Sequence, residues 1–322
     1  MMKNKIYCFT STLSVALFLL FCSCSCTIGS IELEAGKTGI ANSAPSTAGN
    51  NIATNEISIS SNLQAPAFSD KDKLIVILQC ASFLILHRAD FDIAVIDCDD
   101  SSLTKKEITD LQNQGKSIIS YLSIGEAETY RSYWQNSWQT GNPQFIEEEN
   151  PDWPGNFKVK FWVREWQEII FSELEQIVLR GYDGAYLDVV DTYKYFEQKG
   201  YSLSKHYMIE FIKNISAKAK AINPKFLIIP QNAEDLAGNG AILKSIDGLG
   251  RENLWFKNNI RVDEEENSSA LEDLLYAKEN GKFVFAIGYL STDDLKNEFL
   301  SLCSRYGFIP YVGKIELDTI EK

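Results

Sequence analysis

The sequence predicts an α/β fold, a single (β/α)8 barrel, and three observations carry the prediction. Short β-branched or aromatic runs alternate with stretches of helical spacing along the body of the chain. The 322 residues leave room for one barrel of about 250 residues plus an additional segment. Several of the strand-like runs close on a carboxylate, and in a barrel all C-terminal strand ends open on one face.

The elements follow in chain order. Lys3 and Lys5 precede an apolar run from Leu13 to Phe21, and small residues and cysteines follow. Basic, apolar and small segments in that order describe an export signal, and the run is shorter than the roughly 20 residues that span a bilayer. The cluster Cys22-Ser23-Cys24-Ser25-Cys26 resembles the lipidation site of a bacterial lipoprotein. Cys24 is the expected lipidated residue because small Ser23 precedes it, whereas Cys22 follows bulky Phe21. A plain secretory signal cut near Cys26 is the rival reading. Residues 1–26 are therefore a signal peptide, and 27–69, rich in Ser, Ala, Asn, Thr and Gly, a flexible linker. The expected location is exported, on a bacterial cell surface or in the periplasm, with membrane contact only through the lipid anchor.

Residues 70–322 form the barrel. Nine strand candidates are Leu74–Gln79, Ile93–Asp97, Ser117–Leu122, Lys158–Trp162, Gly184–Asp188, Phe226–Pro230, Ile246–Gly250, Phe283–Ile287 and Phe308–Val312. One is surplus to a barrel, either Lys158–Trp162 or the first. Trp166, Ile169, Ile170, Leu174, Ile177 and Val178 share one helical face, as do Met208, Phe211, Ile212 and Ile215 before Asn223-Pro224. An open doubly wound sheet is the alternative, but no GxGxxG or phosphate loop follows any strand.

Composition narrows the function. Asp plus Glu number 44 against 31 Lys plus Arg, a net charge of −13, which excludes non-specific nucleic-acid binding and suits a neutral or cationic partner. The body keeps Cys80, Cys98 and Cys303 with no CxxC pair, so neither a disulfide framework nor a zinc site is expected. His87 and His206 are the two histidines, too few for a histidine-rich metal centre. No metal or cofactor is expected, and the chain is expected to act as a monomer.

The acids gather at strand ends: Asp97, then Glu126 and Glu128, Asp188 and Asp191, Glu234, and Glu252. Nearby stand Tyr121, Tyr130, Tyr133, Tyr193, Trp134, Trp138, Trp153 and Trp162. Carboxylates with aromatic platforms are what a sugar cleft uses, since rings stack on the apolar face of a pyranose.

At these residues the sequence resembles glycoside hydrolase family 114. The resemblance runs through Tyr121-Leu122-Ser123-Ile124-Gly125-Glu126-Ala127-Glu128, Asn150-Pro151-Asp152-Trp153-Pro154-Gly155-Asn156 and Gly181-Tyr182-Asp183-Gly184-Ala185-Tyr186-Leu187-Asp188-Val189-Val190-Asp191. It continues in Ile229-Pro230-Gln231-Asn232-Ala233-Glu234, Asp247-Gly248-Leu249-Gly250-Arg251-Glu252 and Gly307-Phe308-Ile309-Pro310-Tyr311-Val312-Gly313, within Asp72 to Gly313. It implies a (β/α)8 barrel and endo-cleavage of α-1,4-linked galactosamine polymers, a cationic substrate. Two departures stand out: Val163 where the family tends to carry Asp after Phe161-Trp162, and Cys80-Ala81-Ser82 closing the first strand.

Hydrolysis of a glycoside needs one carboxylate to attack or activate water and a carboxylic acid to protonate the leaving oxygen. Asp188 matches the family position taken as nucleophile or base, and Glu234 is the expected acid. The candidate substrate contacts are Glu126, Asp97, Tyr121, Trp153, Asp191, Tyr193, Asn232, Arg251 and Glu252. Alternatives accompany some of these: Glu126 as a partner of Arg131, Asp191 as a helix cap or as the residue that orients Asp188, and Arg251 as a partner of Glu252 or Asp247. Asp183 is read as structural. The competing function is a lipoprotein that keeps the barrel and binds glycan without cleaving it.

Overall fold

The computed structural model describes residues 68–238 and 240–320. The signal peptide with Cys24, and the linker up to its last two residues, lie outside the described residues. Phe68 packs its ring edge-on against Phe283, with centroids 5.0 Å apart.

Eight parallel strands build the barrel: β1 (Leu74–Ile77), β2 (Ile93–Asp97), β3 (Ser117–Ser123), β4 (Gly184–Asp188), β5 (Leu227–Pro230), β6 (Gly248–Glu252), β7 (Phe283–Gly288) and β8 (Ile309–Val312). β1 to β5 pair in sequence order, and so do β6 to β8. The two arcs join where Gln231 bridges Gly250 in parallel and the Asn232 amide donates to the Gly250 carbonyl at 2.8 Å. β8 lies against β1, and the Tyr311 hydroxyl donates to the Val76 carbonyl at 2.8 Å. The sheet therefore closes, and the open doubly wound alternative falls.

The strands are apolar because both faces are covered, by the filled interior and by the helices outside. Ile93, Ala94, Val95 and Ile96 are fully buried. The helix Arg164–Arg180 buries the expected stripe of Trp166, Ile170, Leu174, Ile177 and Val178, and stops at Gly181 in the left-handed region. The helix Ser204–Ile222 does the same with Met208, Phe211, Ile212 and Ile215. At the N-terminal face Asp183 accepts the Ile118 amide at 2.7 Å and Asp247 the Ile228 amide at 2.9 Å, each tying neighbouring strands. Asp183 is structural, as read. Among the described residues no helix is long and apolar enough to cross a membrane.

The surplus strand is Asn156–Val159, in place of the expected Lys158–Trp162. It sits between Glu126–Glu128 and Ile146–Glu149 in a small antiparallel sheet inserted between β3 and its helix. The aromatic residues expected to wall a cleft here form the packing of this insert. Trp138 meets Trp134, Tyr133 and Phe145, and Trp134 meets Phe157, at centroid distances of 5.1–6.3 Å. Burying such rings against each other returns more than leaving them wet. Trp162 likewise packs on Phe161, Phe196 and Tyr207.

Candidate active site

Register brings the strand-end residues side by side. Asp97 is the lateral neighbour of Tyr121, Ser123 of Asp188, and Leu187 of Pro230. β6 runs on to Glu252, two residues beyond the expected end, and so carries that acid at the same level of the barrel.

Asp188 closes β4. The Tyr121 hydroxyl from β3 donates to its Oδ2 at 2.7 Å. Burial, and next the negative charge of Glu252, push its carboxyl up to about 7, against the pull of the Tyr121 hydroxyl and the Val189 amide. Glu252 accepts the Tyr289 hydroxyl, and burial raises its carboxyl too. The Asn232 side-chain oxygen accepts the Glu252 amide at 3.1 Å and lies 3.4 Å from Arg251 Nη1. A carboxyl withdrawn from water beside a second negative charge holds its proton more tightly than a free one, which is the position of Asp188 beside Glu252.

Glu234 opens a four-residue helix after β5 and is 5% exposed. Its Oε1 lies 3.4 Å from Arg251 Nη1, and burial raises its carboxyl while Arg251 opposes the rise. Arg251 therefore serves Glu234 rather than Glu252, and Asp247 takes Lys220 at 2.9 Å.

The acids closer to β2 and β3 are committed to cations. Arg131 is a buried hub: it forks onto Asp97 at 2.8 and 2.9 Å, pairs with Glu128 and reaches Asp99 at 3.2 Å. Glu128, not Glu126, is its partner. Glu126 is 2% exposed and holds Lys158 at 3.1 Å and Asn150 at 2.8 Å. Asp97, Cys98 and Asp99 bring three potential metal ligands within 4.8 Å of one another. Both carboxylates are taken by Arg131, and burial pushes the Cys98 thiol up to about 12, so the donor set does not suit a cation. Tyr193 is 1% exposed and donates to Asp235, which makes it packing rather than a sugar platform. Trp153 is 51% exposed, on the turn of the insert. Asp191 stands half-buried just beyond Asp188.

Two participants were not singled out from the sequence as site residues. Tyr289 follows the end of β7 and was detectable by the strand-end rule that found the acids. Tyr186 lies two residues before Asp188 on the same face, and its hydroxyl is buried without a hydrogen-bond partner.

A closed (β/α)8 barrel whose mouth gathers carboxyl groups that burial makes weaker acids has the architecture of the barrel glycosidases. The chain belongs to glycoside-hydrolase family GH114, whose model matches residues 71–322. A protein of Thermotoga maritima is 33% identical over 271 residues, covering 79% of this chain and 84% of its own. Among solved structures, Aspergillus fumigatus Ega3 in complex with galactosamine superposes with a TM-score of 0.63 at 22% identity, over 79% of this chain and 96% of Ega3. The glycoside hydrolase domain of PelA from Pseudomonas aeruginosa superposes at 0.61 with 16% identity, over 77% and 96%.

Proposed function

We propose that this glycosidase is exported and cleaves α-linked, galactosamine-type polysaccharide with Asp188 and Glu252 as its pair of carboxylates. The observation that carries the pairing is electrostatic. Glu252 is the carboxylate whose charge acts most strongly on Asp188. Glu234, the acid expected from the sequence, is engaged by Arg251. Asp188, facing two hydrogen-bond donors, is the ionised member that attacks the anomeric carbon or activates water. Glu252, its carboxyl raised by burial, protonates the leaving oxygen.

The galactosamine bound to Ega3 and the net charge of −13 support a cationic amino-sugar polymer as substrate. The signal peptide and Cys24 support a lipid-anchored enzyme on the cell surface or in the periplasm. The test is release of reducing ends from a panel of amino-sugar polymers by the purified protein. Galactosaminan is expected to be cleaved, Asp188→Asn and Glu252→Gln to abolish turnover, and Glu234→Gln to retain some. Binding without cleavage by the wild type transfers the protein to the glycan-binding reading. Inactivation by Glu234→Gln with full activity in Glu252→Gln returns the acid to Glu234.

A further inference from the structure

Most rings of the inserted sheet are turned inward, and two are not. Tyr133, Trp134, Trp138 and Phe157 pack on one another, whereas Tyr130 is 47% exposed and Trp153 51%. One exposed ring needs no explanation. These two are neighbours, each is held by polar ties, and together they lead outward from Asp188.

The line starts at Tyr121, whose hydroxyl donates to Asp188. The Arg131 guanidinium carbon lies 5.8 Å from the centroid of the Tyr121 ring and 5.2 Å from that of Tyr130, so the two rings flank one cation. The Tyr130 hydroxyl donates to Glu128 Oε1 at 2.5 Å, which fixes the ring at its tip. Thr129, the preceding residue, donates its amide to the Gly155 carbonyl at 2.8 Å. A Cβ on Gly155 would stand 2.8 Å from the Thr129 hydroxyl oxygen, so the glycine lets the turn carrying Trp153 close on this strand. The turn is itself tied down. The Trp153 amide donates to the Asn150 carbonyl at 3.2 Å and the Asn156 amide to the Trp153 carbonyl at 3.0 Å. Below them the Asn150 side chain donates to buried Glu126 at 2.8 Å. Both rings are therefore placed in advance, and a ligand that stacks on them has little further ordering to offset.

Resting on the function proposed above, we infer that Tyr130 and Trp153 form an outlying subsite that stacks on sugars of the polymer beyond the one held at Asp188, so that the enzyme favours long chains over short ones. An isolated ring ringed by hydrogen-bonding backbone suits a sugar, which has an apolar face and a polar edge, better than an apolar protein surface. In a galacto-configured pyranose the axial C4 hydroxyl leaves the C–H groups of C3, C4 and C5 together on the opposite face, which an aromatic ring covers.

The experiment measures kcat and KM of the full chain on galactosamine oligomers of increasing length, for the wild type, Trp153→Ala, Trp153→Phe and Tyr130→Leu. A ring contact is equivalent to about twofold to tenfold in affinity. Wild-type kcat/KM is expected to climb with chain length. Trp153→Ala is expected to lose up to about tenfold on long chains, through KM rather than kcat, with a loss that shrinks as the oligomers shorten. Phenylalanine at 153 is expected to recover most of it, and Tyr130→Leu to act in the same direction. Equilibrium binding of long oligomers in an Asp188→Asn background is expected to fall by the same factor when Trp153→Ala is added. A purely structural role lowers activity on all lengths alike. Should Tyr130→Leu fail to fold, the exposed Trp153 decides alone. Cleavage by the wild type with an unchanged KM for long chains in Trp153→Ala, or a loss independent of length, overturns the inference alone. No cleavage and no binding of any galactosamine chain by the wild type overturns the functional reading and the subsite with it.

Discussion

Asp188→Asn is expected to inactivate the enzyme and stabilise the fold. Asp188 ionises at about 7 in the folded chain against an ordinary 3.8. Its raised pKa means that the folded state binds the proton more tightly than the unfolded one. The associated stability is complete below the unfolded value and is lost as pH rises through the folded one. At roughly 1.4 kcal/mol per tenfold change in an ionisation constant, the ionised carboxylate costs the fold up to about 4 kcal/mol at pH 8, about 2 kcal/mol at pH 5.5 and almost nothing below pH 3.8. Asparagine keeps the shape and the acceptor for Tyr121 and carries no charge. Urea unfolding of both proteins at pH 8, 5.5 and 4 measures the difference. A gain that shrinks steadily toward pH 4 is expected. A variant less stable than the wild type at pH 8, or a difference independent of pH, refutes the reasoning, because either shows that Asp188 is not held against its own ionisation.

Three further outcomes follow from the same geometry. Tyr121→Phe removes the 2.7 Å donor that favours ionised Asp188. The acidic limb of the kcat/KM profile is therefore expected to move up by about one to two pH units, on the scale of a hydrogen bond to a charged group, while an unmoved limb denies Tyr121 that influence. Gly125→Ala places a Cβ 2.0 Å from the Val189 carbonyl, and the overpacking is expected to cost about 1–3 kcal/mol in thermal or urea unfolding and to displace Asp188. Cys24→Ala is expected to move the protein from the membrane to the detergent-free soluble fraction, and unchanged partitioning with Cys22 and Cys26 intact assigns the anchor elsewhere.

Much of this architecture was legible because barrel strands and their helices obey local periodicity. The apolar run Ile93–Asp97 and the stripe through Trp166, Ile170 and Leu174 needed no knowledge of their partners. The insert was less legible. Its strands, Glu126–Glu128, Ile146–Glu149 and Asn156–Val159, are short and rich in polar residues, and its stability comes from rings brought together across the loop. The acids shared this limit. Each strand-end carboxylate looks alike in sequence, and the difference between them is which cation reaches it. Arg131 claimed Asp97 and Glu128, Lys158 claimed Glu126, and Arg251 claimed Glu234 rather than its chain neighbour Glu252. Such allocation is decided in three dimensions. The proposal of Glu252 in place of the expected Glu234 rests on that allocation, and on β6 continuing for two residues past Gly250.

The backbone divides the work between the two ends of the barrel. At the N-terminal face, Asp183 and Asp247 accept strand amides in ordinary conformations. At the mouth, the chain turns into the left-handed region at Cys80 (φ 59°), Val189 (φ 56°), Asn232 (φ 51°) and Asn253 (φ 54°), just past β1, β4, β5 and β6. Asparagine tolerates that region, but for β-branched Val189 it costs about 1–2 kcal/mol. Val189 follows Asp188 directly, and its conformation persists because its surroundings hold it. The Ile124 amide donates to the Asp188 carbonyl at 3.1 Å, the Thr192 amide to the Val189 carbonyl at 3.4 Å, and Gly125 leaves space for that carbonyl. The turn swings the chain away immediately after Asp188, leaving the carboxylate at the strand end beside Tyr121 and placing Asp191 three residues on. At Asn232 the same kind of turn frees a side-chain oxygen for the Glu252 amide and Arg251. The strained turn at Val189 thus positions Asp188, the tolerated turn at Asn232 holds the Glu252 backbone, and the apolar strands beneath supply the stability that sustains the strain.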